Sequence, residues 1–293
     1  MRVLVTGGTG FIGAAVCRAL RGAGHAVRVV SRDPEHAAEE AIGWDDVPAA
    51  AREADAFVNL AGEPIAAKRW KQAQKHHIRE SRVEATRRLV EAATAASPRP
   101  RILVNASAVG YYGARGDEVL DETVGPGTGF LAEVCESWER EAGAAEALGL
   151  RVVRLRFGIV LAPDGGALVR MIPAFRRFFG GPLGSGTQWM SWIHRDDVTG
   201  LVVEALEKDA YRGAVNVTAP EPVTNTEFAQ ALGRALARPA SFRTPAFMLR
   251  WSLGEMADML LTGQRVVPRV AQTQGYRWRY PELGGALRAS ARL

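Results

Sequence analysis

The run Thr6-Gly7-Gly8-Thr9-Gly10-Phe11-Ile12-Gly13 constrains the fold more than any other stretch. Arg2, Val3, Leu4 and Val5 precede it as a short, apolar, β-branched segment, the mark of a buried strand. Phe11, Ile12, Val16 and Leu20 then recur at helical spacing until Gly22 and Gly24 end the run. Glycines 7, 10 and 13 form a G-x-x-G-x-x-G turn between strand and helix. One glycine permits the tight turn, a second lets backbone amides approach a pyrophosphate, and a third lets helix and strand pack closely. The helix N-terminus adds free N–H groups and the positive end of a dipole. Thr6, Gly7, Gly10, Phe11, Ile12 and Gly13 are therefore the expected cradle of a dinucleotide.

Further buried strands are expected at 25–31, 54–60, 101–106 and 151–157. Helices separate them. One carries Thr86, Leu89, Val90 and Ala93 and stops at Ser97-Pro98; another carries Leu131, Cys135, Trp138, Ala142 and Ala145 and stops at Gly149. Strand and helix alternate to about residue 160, which implies an α/β fold with a Rossmann-type, doubly wound parallel sheet. After Ala162 the pattern loosens into a smaller, mostly helical C-terminal lobe. Glycine pairs 165–166 and 180–181 flank one helix. Thr224 and Glu227 fit a capping box opening a helix through Leu236. Thr244-Pro245 fits the start of another, through about Leu261. The expected division is a dinucleotide-binding domain over 1–164, with about 196–217 returning to it. A substrate lobe covers 165–293, including a small domain from about 244.

The second strand ends at Ser31-Arg32-Asp33. An acid at that position bonds the ribose hydroxyls of NAD, whereas arginine accommodates the 2′-phosphate of NADP. Arg32, with Ser31 as an extra donor, favours NADP(H), and Asp33 keeps the NAD alternative open. The formal charge of +5 comes almost wholly from arginine, without a basic block interleaved with aromatics, so nucleic acid is not an expected partner. No apolar run has the length of a membrane helix, and the N-terminus lacks the long apolar core of a signal peptide. Membrane is likewise not an expected partner. Two cysteines, Cys17 and Cys135, give neither a disulfide framework nor a metal spacing, and fit a reducing, cytoplasmic setting. No metal is expected.

Asn59-Leu60-Ala61-Gly62 after a later strand, Ser107 after the next, and the run 192–198 (WIHRDDV) join the glycine motif in resembling the extended short-chain dehydrogenase/reductases. Ser81-Arg82-Val83, the run 107–113 (SAVGYYG), and the stretches 130–139 and 181–198 narrow the resemblance. They point to an atypical branch, the epimerase family protein SDR39U1/YfcH group, and 244–287 resembles that group's C-terminal small domain. The resemblance implies a Rossmann-type fold and bound NADP(H), with Leu60, Ala61, Gly62 and Arg82 joining the cofactor site. Members are described as nucleoside-sugar epimerases, and some plant and cyanobacterial relatives as cell-division inhibitors.

The departures bear on chemistry. Active extended members use a tyrosine four residues before a lysine, as general acid/base and its activating cation. Here Leu131 takes the tyrosine position and Cys135 the lysine position, and Arg82 aligns with an asparagine that supports the relay. Leucine carries no proton, and a neutral thiol does not replace an ammonium. Ser107 and Tyr112 are the candidate catalytic residues that remain. Tyr111, Trp70, Trp189 and His194 are the substrate-side candidates, in company with Lys68, Arg69, Gln188 and Trp192. Arginines beside tryptophans suit a small substrate that is anionic or nucleotide-linked. A homodimer is the oligomeric expectation. Cys135 reads as a packing residue, and His76-His77, about 100° apart on a helix, as a solvated pair. Two functions from different classes follow. One is an NADP(H)-binding oxidoreductase or nucleoside-sugar epimerase-like protein. The other is a non-catalytic NADPH-sensing regulator.

Overall fold

A computed structural model describes residues 1–37 and 41–291. The central sheet has seven strands: β1 (Arg2–Thr6), β2 (Ala26–Val30), β3 (Ala41–Ile42), β4 (Ala56–Asn59), β5 (Ile102–Ala108), β6 (Arg151–Phe157) and β7 (Gly213–Val217). Their order is β7-β6-β5-β4-β1-β2-β3, and every neighbouring pair is parallel. The chain starts in the middle of the sheet, runs to one edge, and then crosses back to build the other half. The strand order therefore reverses between β1 and β4, and the crevice at their C-terminal ends is where such a sheet binds ligands.

Side-chain alternation decides the two cores. Val3 and Val5 of β1 point to one face, where α1 (Gly13–Gly22) and α5 (Arg195–Glu207) pack with Val16, Leu20, Val198 and Leu201. Leu4 points to the other, against α2 (Gln72–Ala95) and α3 (Phe130–Gly143), whose Leu89, Ala93 and Ala142 fill that side. Helix α2 starts well before its apolar face, because its first turns (Gln72, Gln74, Lys75, His76, His77) are polar and hide the helical period.

The lobe has its own core. Leu168, Ile172 and Phe175 of α4 (Gly166–Arg176) meet Phe228 and Leu232 of α6 (Asn225–Leu236) and Leu287 of α8 (Leu283–Ser290), around the buried Trp192. Helix α6 opens with the expected capping box: the Thr224 hydroxyl accepts from Glu227 N, and Glu227 Oε2 accepts from Thr224 N at 2.7 Å. Thr224→Ala should cost about 1 kcal/mol, read as a lower urea midpoint at unchanged m-value. The next helix departs from expectation. Pro245 is the cap, α7 spans only Ala246–Leu253, and Gly254 breaks it with φ +63°. A 3-10 turn and the short helix Asp258–Leu261 follow.

Candidate functional site

The glycine loop lies at the β1/β4 crevice. Gly7 has φ +68°, and a Cβ there would stand 2.5 Å from the Leu60 carbonyl oxygen. A Cβ on Gly13 would fall 2.8 Å from the Gly7 carbonyl carbon, inside contact with its oxygen. These two glycines are required by the protein's own packing. Gly10 differs: the one atom near its Cβ position is Gly7 O at 3.2 Å, and the rest is open. That open space, at a helix N-terminus without an acid in its first turn, fits a pyrophosphate. Phe11 leaves the loop toward the lobe. Its ring lies against Gly165 and Gly166, where side chains would collide with it, and 5.0 Å from the Arg195 guanidinium carbon.

Past the end of β2, Ser31 Oγ donates to the Asp33 carbonyl at 3.0 Å and accepts from Asp33 N at 3.1 Å, closing a tight turn. The Asp33 carboxylate is turned to His36 Nδ1, 2.8 Å away. Arg32 is exposed at the same strand end. The acid is engaged elsewhere and the arginine is free to meet an anion, an arrangement that suits a 2′-phosphate.

A buried polar network fixes the strand ends. Asn59 Oδ1 accepts from Thr6 Oγ1 at 2.5 Å and from Ala61 N at 3.3 Å, and Asn59 Nδ2 donates to Thr86 Oγ1 and Asn105 Oδ1. Trp138 Nε1 donates to the same Thr86 oxygen at 3.0 Å. The Leu60-Ala61-Gly62 turn is thus tied to β1, β5, α2 and α3 at once. Arg82 lies against Gly62, with its guanidinium carbon 3.0 Å from where a Cβ would stand. Its Nη1 donates to the carbonyls of Glu63 and Ile78, and the group stacks 5.2 Å over Trp138. Burial draws its pKa down from the ordinary value, with the Cys135 thiol and Glu63 as its nearest ionisable neighbours.

Under the end of β5 stands a second buried network that sequence reasoning missed. Glu139 and Arg156 form a bidentate pair: Nε to Oε1 and Nη2 to Oε2, both 2.8 Å. Ser107 Oγ donates to Glu139 Oε1 at 2.7 Å. Arg156 Nη1 donates to the Tyr112 hydroxyl at 2.9 Å, which itself donates to Asn216 Oδ1 at 2.7 Å. Ser107 and Tyr112, the expected catalytic pair, both belong to this network. Both are buried, the serine proton points inward to a carboxylate, and burial pushes the Tyr112 hydroxyl up to about 12. In this arrangement both hydroxyls donate within the network. Cys135 is buried beside them with its thiol pushed up to about 11 by burial, so it stays protonated and packs. Tyr111 is half-buried, its ring 3.5 Å from the Arg156 guanidinium carbon, and burial raises its pKa too.

The sequence did carry a sign of the pair. Glu139 falls four residues after Cys135, on the apolar face of its helix. Arg154 and Arg156 alternate with Val153 and Leu155 in a strand covered on both sides. A charge on a face that must be buried calls for a partner.

The remaining candidates scatter. Trp70 donates to Ile65 O at 2.8 Å and meets the Phe130 ring edge-on at 5.1 Å, beside the start of α3. Trp189 donates to Asp117 at 2.7 Å beneath Arg265. Trp192 is core. His194 is buried, accepts from Asp196 N through Nδ1 to cap α5, and stacks on Tyr280 at 4.0 Å. Burial lowers its pKa, so at neutral pH it is a neutral structural cap. Among the described residues no cluster of His, Cys, Asp and Glu could hold a metal ion.

Comparison with known proteins agrees with this geometry. Residues 3–218 match the NAD dependent epimerase/dehydratase family. The chain belongs to that family. Residues 244–290 match a second family, a domain of unknown function (DUF1731). Among epimerase/dehydratase relatives, the chloroplastic epimerase family protein SDR39U1 homolog of Arabidopsis thaliana is 44% identical, covering 99% of this chain and 86% of its own length. The crystal structure of human epimerase family protein SDR39U1 with NADPH superposes with TM-score 0.93 at 39% identity, covering 100% of both chains. A nucleoside-diphosphate sugar epimerase from Corynebacterium glutamicum gives TM-score 0.79 at 32% identity, over 99% of this chain and 58% of that one.

Proposed function

We propose that the chain binds NADP(H) across the glycine loop and works as an oxidoreductase or nucleoside-sugar epimerase-like protein on a small anionic or nucleotide-linked substrate. The observation that carries the reading is the cradle. Gly10 leaves open space beside its Cα at the N-terminus of α1, and Arg32 stands exposed where Asp33 has turned to His36. The human relative crystallised with NADPH supports the phosphorylated cofactor, and the name of the Corynebacterium relative supports a nucleotide sugar. The cofactor supplies a hydride donor or acceptor when bound. The chain's own residues bind and orient. Arg82 lends a fixed positive charge beside Gly62, Tyr111 stays protonated at neutral pH, and Ser107 and Tyr112 hold the floor in place. The two buried cysteines suit a reducing compartment such as the cytoplasm; the Arabidopsis relative is chloroplastic.

A specific observation favours the second reading as well. Leu131, Cys135 and the inward-bonded Ser107 and Tyr112 are poor groups for exchanging a proton near neutral pH. On that reading the chain holds NADPH and shows a partner a changed surface.

Parallel titration with NADPH and NADH, followed by cofactor fluorescence, tests the cofactor site. NADPH should bind more tightly. Arg32→Ala should weaken NADPH by about 10- to 100-fold, the worth of one charge-assisted contact, and leave NADH unchanged. Binding of neither cofactor would overturn both readings. A screen of nucleotide sugars and carbonyl compounds then separates them, since cofactor-dependent turnover rejects the sensor.

A further inference from the structure

One face of the lobe is open, apolar and basic. Helix α7 buries none of its residues. Phe247 and Trp251, four apart, share a helix face with Met248, three before the tryptophan. Their exposures are 71%, 84% and 46%. The end of α4 adds Phe178 and Phe179, exposed by 62% and 61%. Phe178 holds φ +65°, a strained conformation for a residue with a Cβ. The Phe179 ring meets Phe242 edge-on at 5.6 Å, and Arg238 lies 5.1 Å over Phe178. The two clusters are joined. Residues 242–244 run along 180–184 through Phe242 N to Gly180 O (3.1 Å) and Thr244 N to Pro182 O (2.9 Å), and α7 begins two residues later. Apolar side chains scattered singly are ordinary on a soluble surface, but a joined group of this size marks a contact.

Charge selects the occupant. Residues 165–195 and 228–254 contain no Asp or Glu. They contribute Arg176, Arg177, Arg238, Arg243 and Arg250, all exposed. Two acids border this face and both are paired: Asp258 lies 3.6 Å from Arg250, and Glu255 lies 2.6 Å from Lys75. A second copy fits poorly, because a two-fold axis would lay one set of arginines on the other. A bilayer with anionic head groups takes both features. Aromatic and thioether side chains enter the interfacial layer, while arginine stems lie along it and their guanidinium groups meet phosphates. We propose that this face docks on an anionic lipid surface, with Phe247, Met248 and Trp251 in the interface and Arg177, Arg243 and Arg250 among the head groups. The expectation that excluded a membrane rested on the lack of a spanning run. Among the described residues no helix is long and apolar enough to cross, and a peripheral contact needs none.

Vesicles of neutral phosphatidylcholine, and vesicles with about a third phosphatidylglycerol, test the proposal with the full chain. Co-sedimentation should occur with the anionic vesicles and weaken with salt. Tryptophan emission should shift to the blue, because Trp251 is the one tryptophan of seven that is exposed. The double variant Phe247→Ser/Trp251→Ser, and separately Arg177→Glu/Arg250→Glu, should each lower binding by about tenfold or more. Trp251→Phe should keep the binding and lose most of the shift. NADPH titration of each variant checks that the fold is intact. Three results would overturn the proposal: no sedimentation with anionic vesicles, equal sedimentation with neutral ones, or a dimer in light scattering that Trp251→Ser dissociates.

Discussion

Glu139→Gln is expected to destabilise the chain by about 3–5 kcal/mol, the cost of leaving one member of a buried ion pair without the other. Both carboxylate oxygens are in use: Oε1 accepts from Ser107 and Arg156, and Oε2 accepts from Arg156. An amide at that position turns one acceptor into a donor facing a guanidinium donor. Arg156 has no escape by deprotonation, because its carboxylate partner raises a pKa that is already far above neutrality. The denaturant midpoint reads the loss. The double variant Glu139→Leu/Arg156→Met should recover most of it, because replacing both charges with apolar groups of similar volume removes the unpaired cation. A Glu139→Gln loss below about 1 kcal/mol would show that water reaches the pair and screens it.

The same pair explains why the missing Tyr-x-x-x-Lys arrangement is more than two substitutions. Glu139 and Arg156 fill the space under β5 and turn the Ser107 proton away from the crevice. Arg156 also holds Tyr112, whose hydroxyl is passed on to Asn216 at the edge strand β7. Restoring Tyr at 131 and Lys at 135 would therefore add a third cation to the neighbourhood of Arg82 and Arg156 without freeing the serine.

What was legible in the sequence follows from the range of the interactions. The strands at 2–6, 25–31, 54–60, 101–106 and 151–157 announce themselves because each centres on a short apolar, mostly β-branched cluster that a parallel sheet buries. The glycine loop is legible because Gly7 and Gly13 meet steric demands within a few residues of chain, and the Thr224 capping box is equally local. The Glu139–Arg156 pair spans a helix and a strand, and only the fold brings its halves together. The stretch from 245 to 261 read as one helix because Thr244-Pro245 marks a helix start and most of the residues after it are apolar. Gly254 divides it, and its first half faces outward, which composition could not distinguish from a buried helix.

The last prediction separates folding from binding within a single loop. Gly10→Ala should leave the denaturant midpoint within about 1 kcal/mol, since φ at Gly10 is not left-handed and one oxygen, at 3.2 Å, is all that crowds the new methyl group. NADPH affinity should nevertheless fall by about 10- to 100-fold. The methyl group enters the space in which the pyrophosphate approaches the backbone, and overpacking of a close contact costs about 1–3 kcal/mol. Gly13→Ala should behave in the opposite way, because its Cβ collides with the Gly7 carbonyl in the protein itself. There the midpoint should fall first, and cofactor binding only as a consequence. Midpoints measured with and without NADPH distinguish the two. A ligand that binds only the folded state raises the midpoint, so Gly10→Ala should lose that increment while keeping the unliganded value. If Gly10→Ala kept full NADPH affinity, the phosphates would have to sit elsewhere, and the assignment of the glycine loop as their cradle would fail.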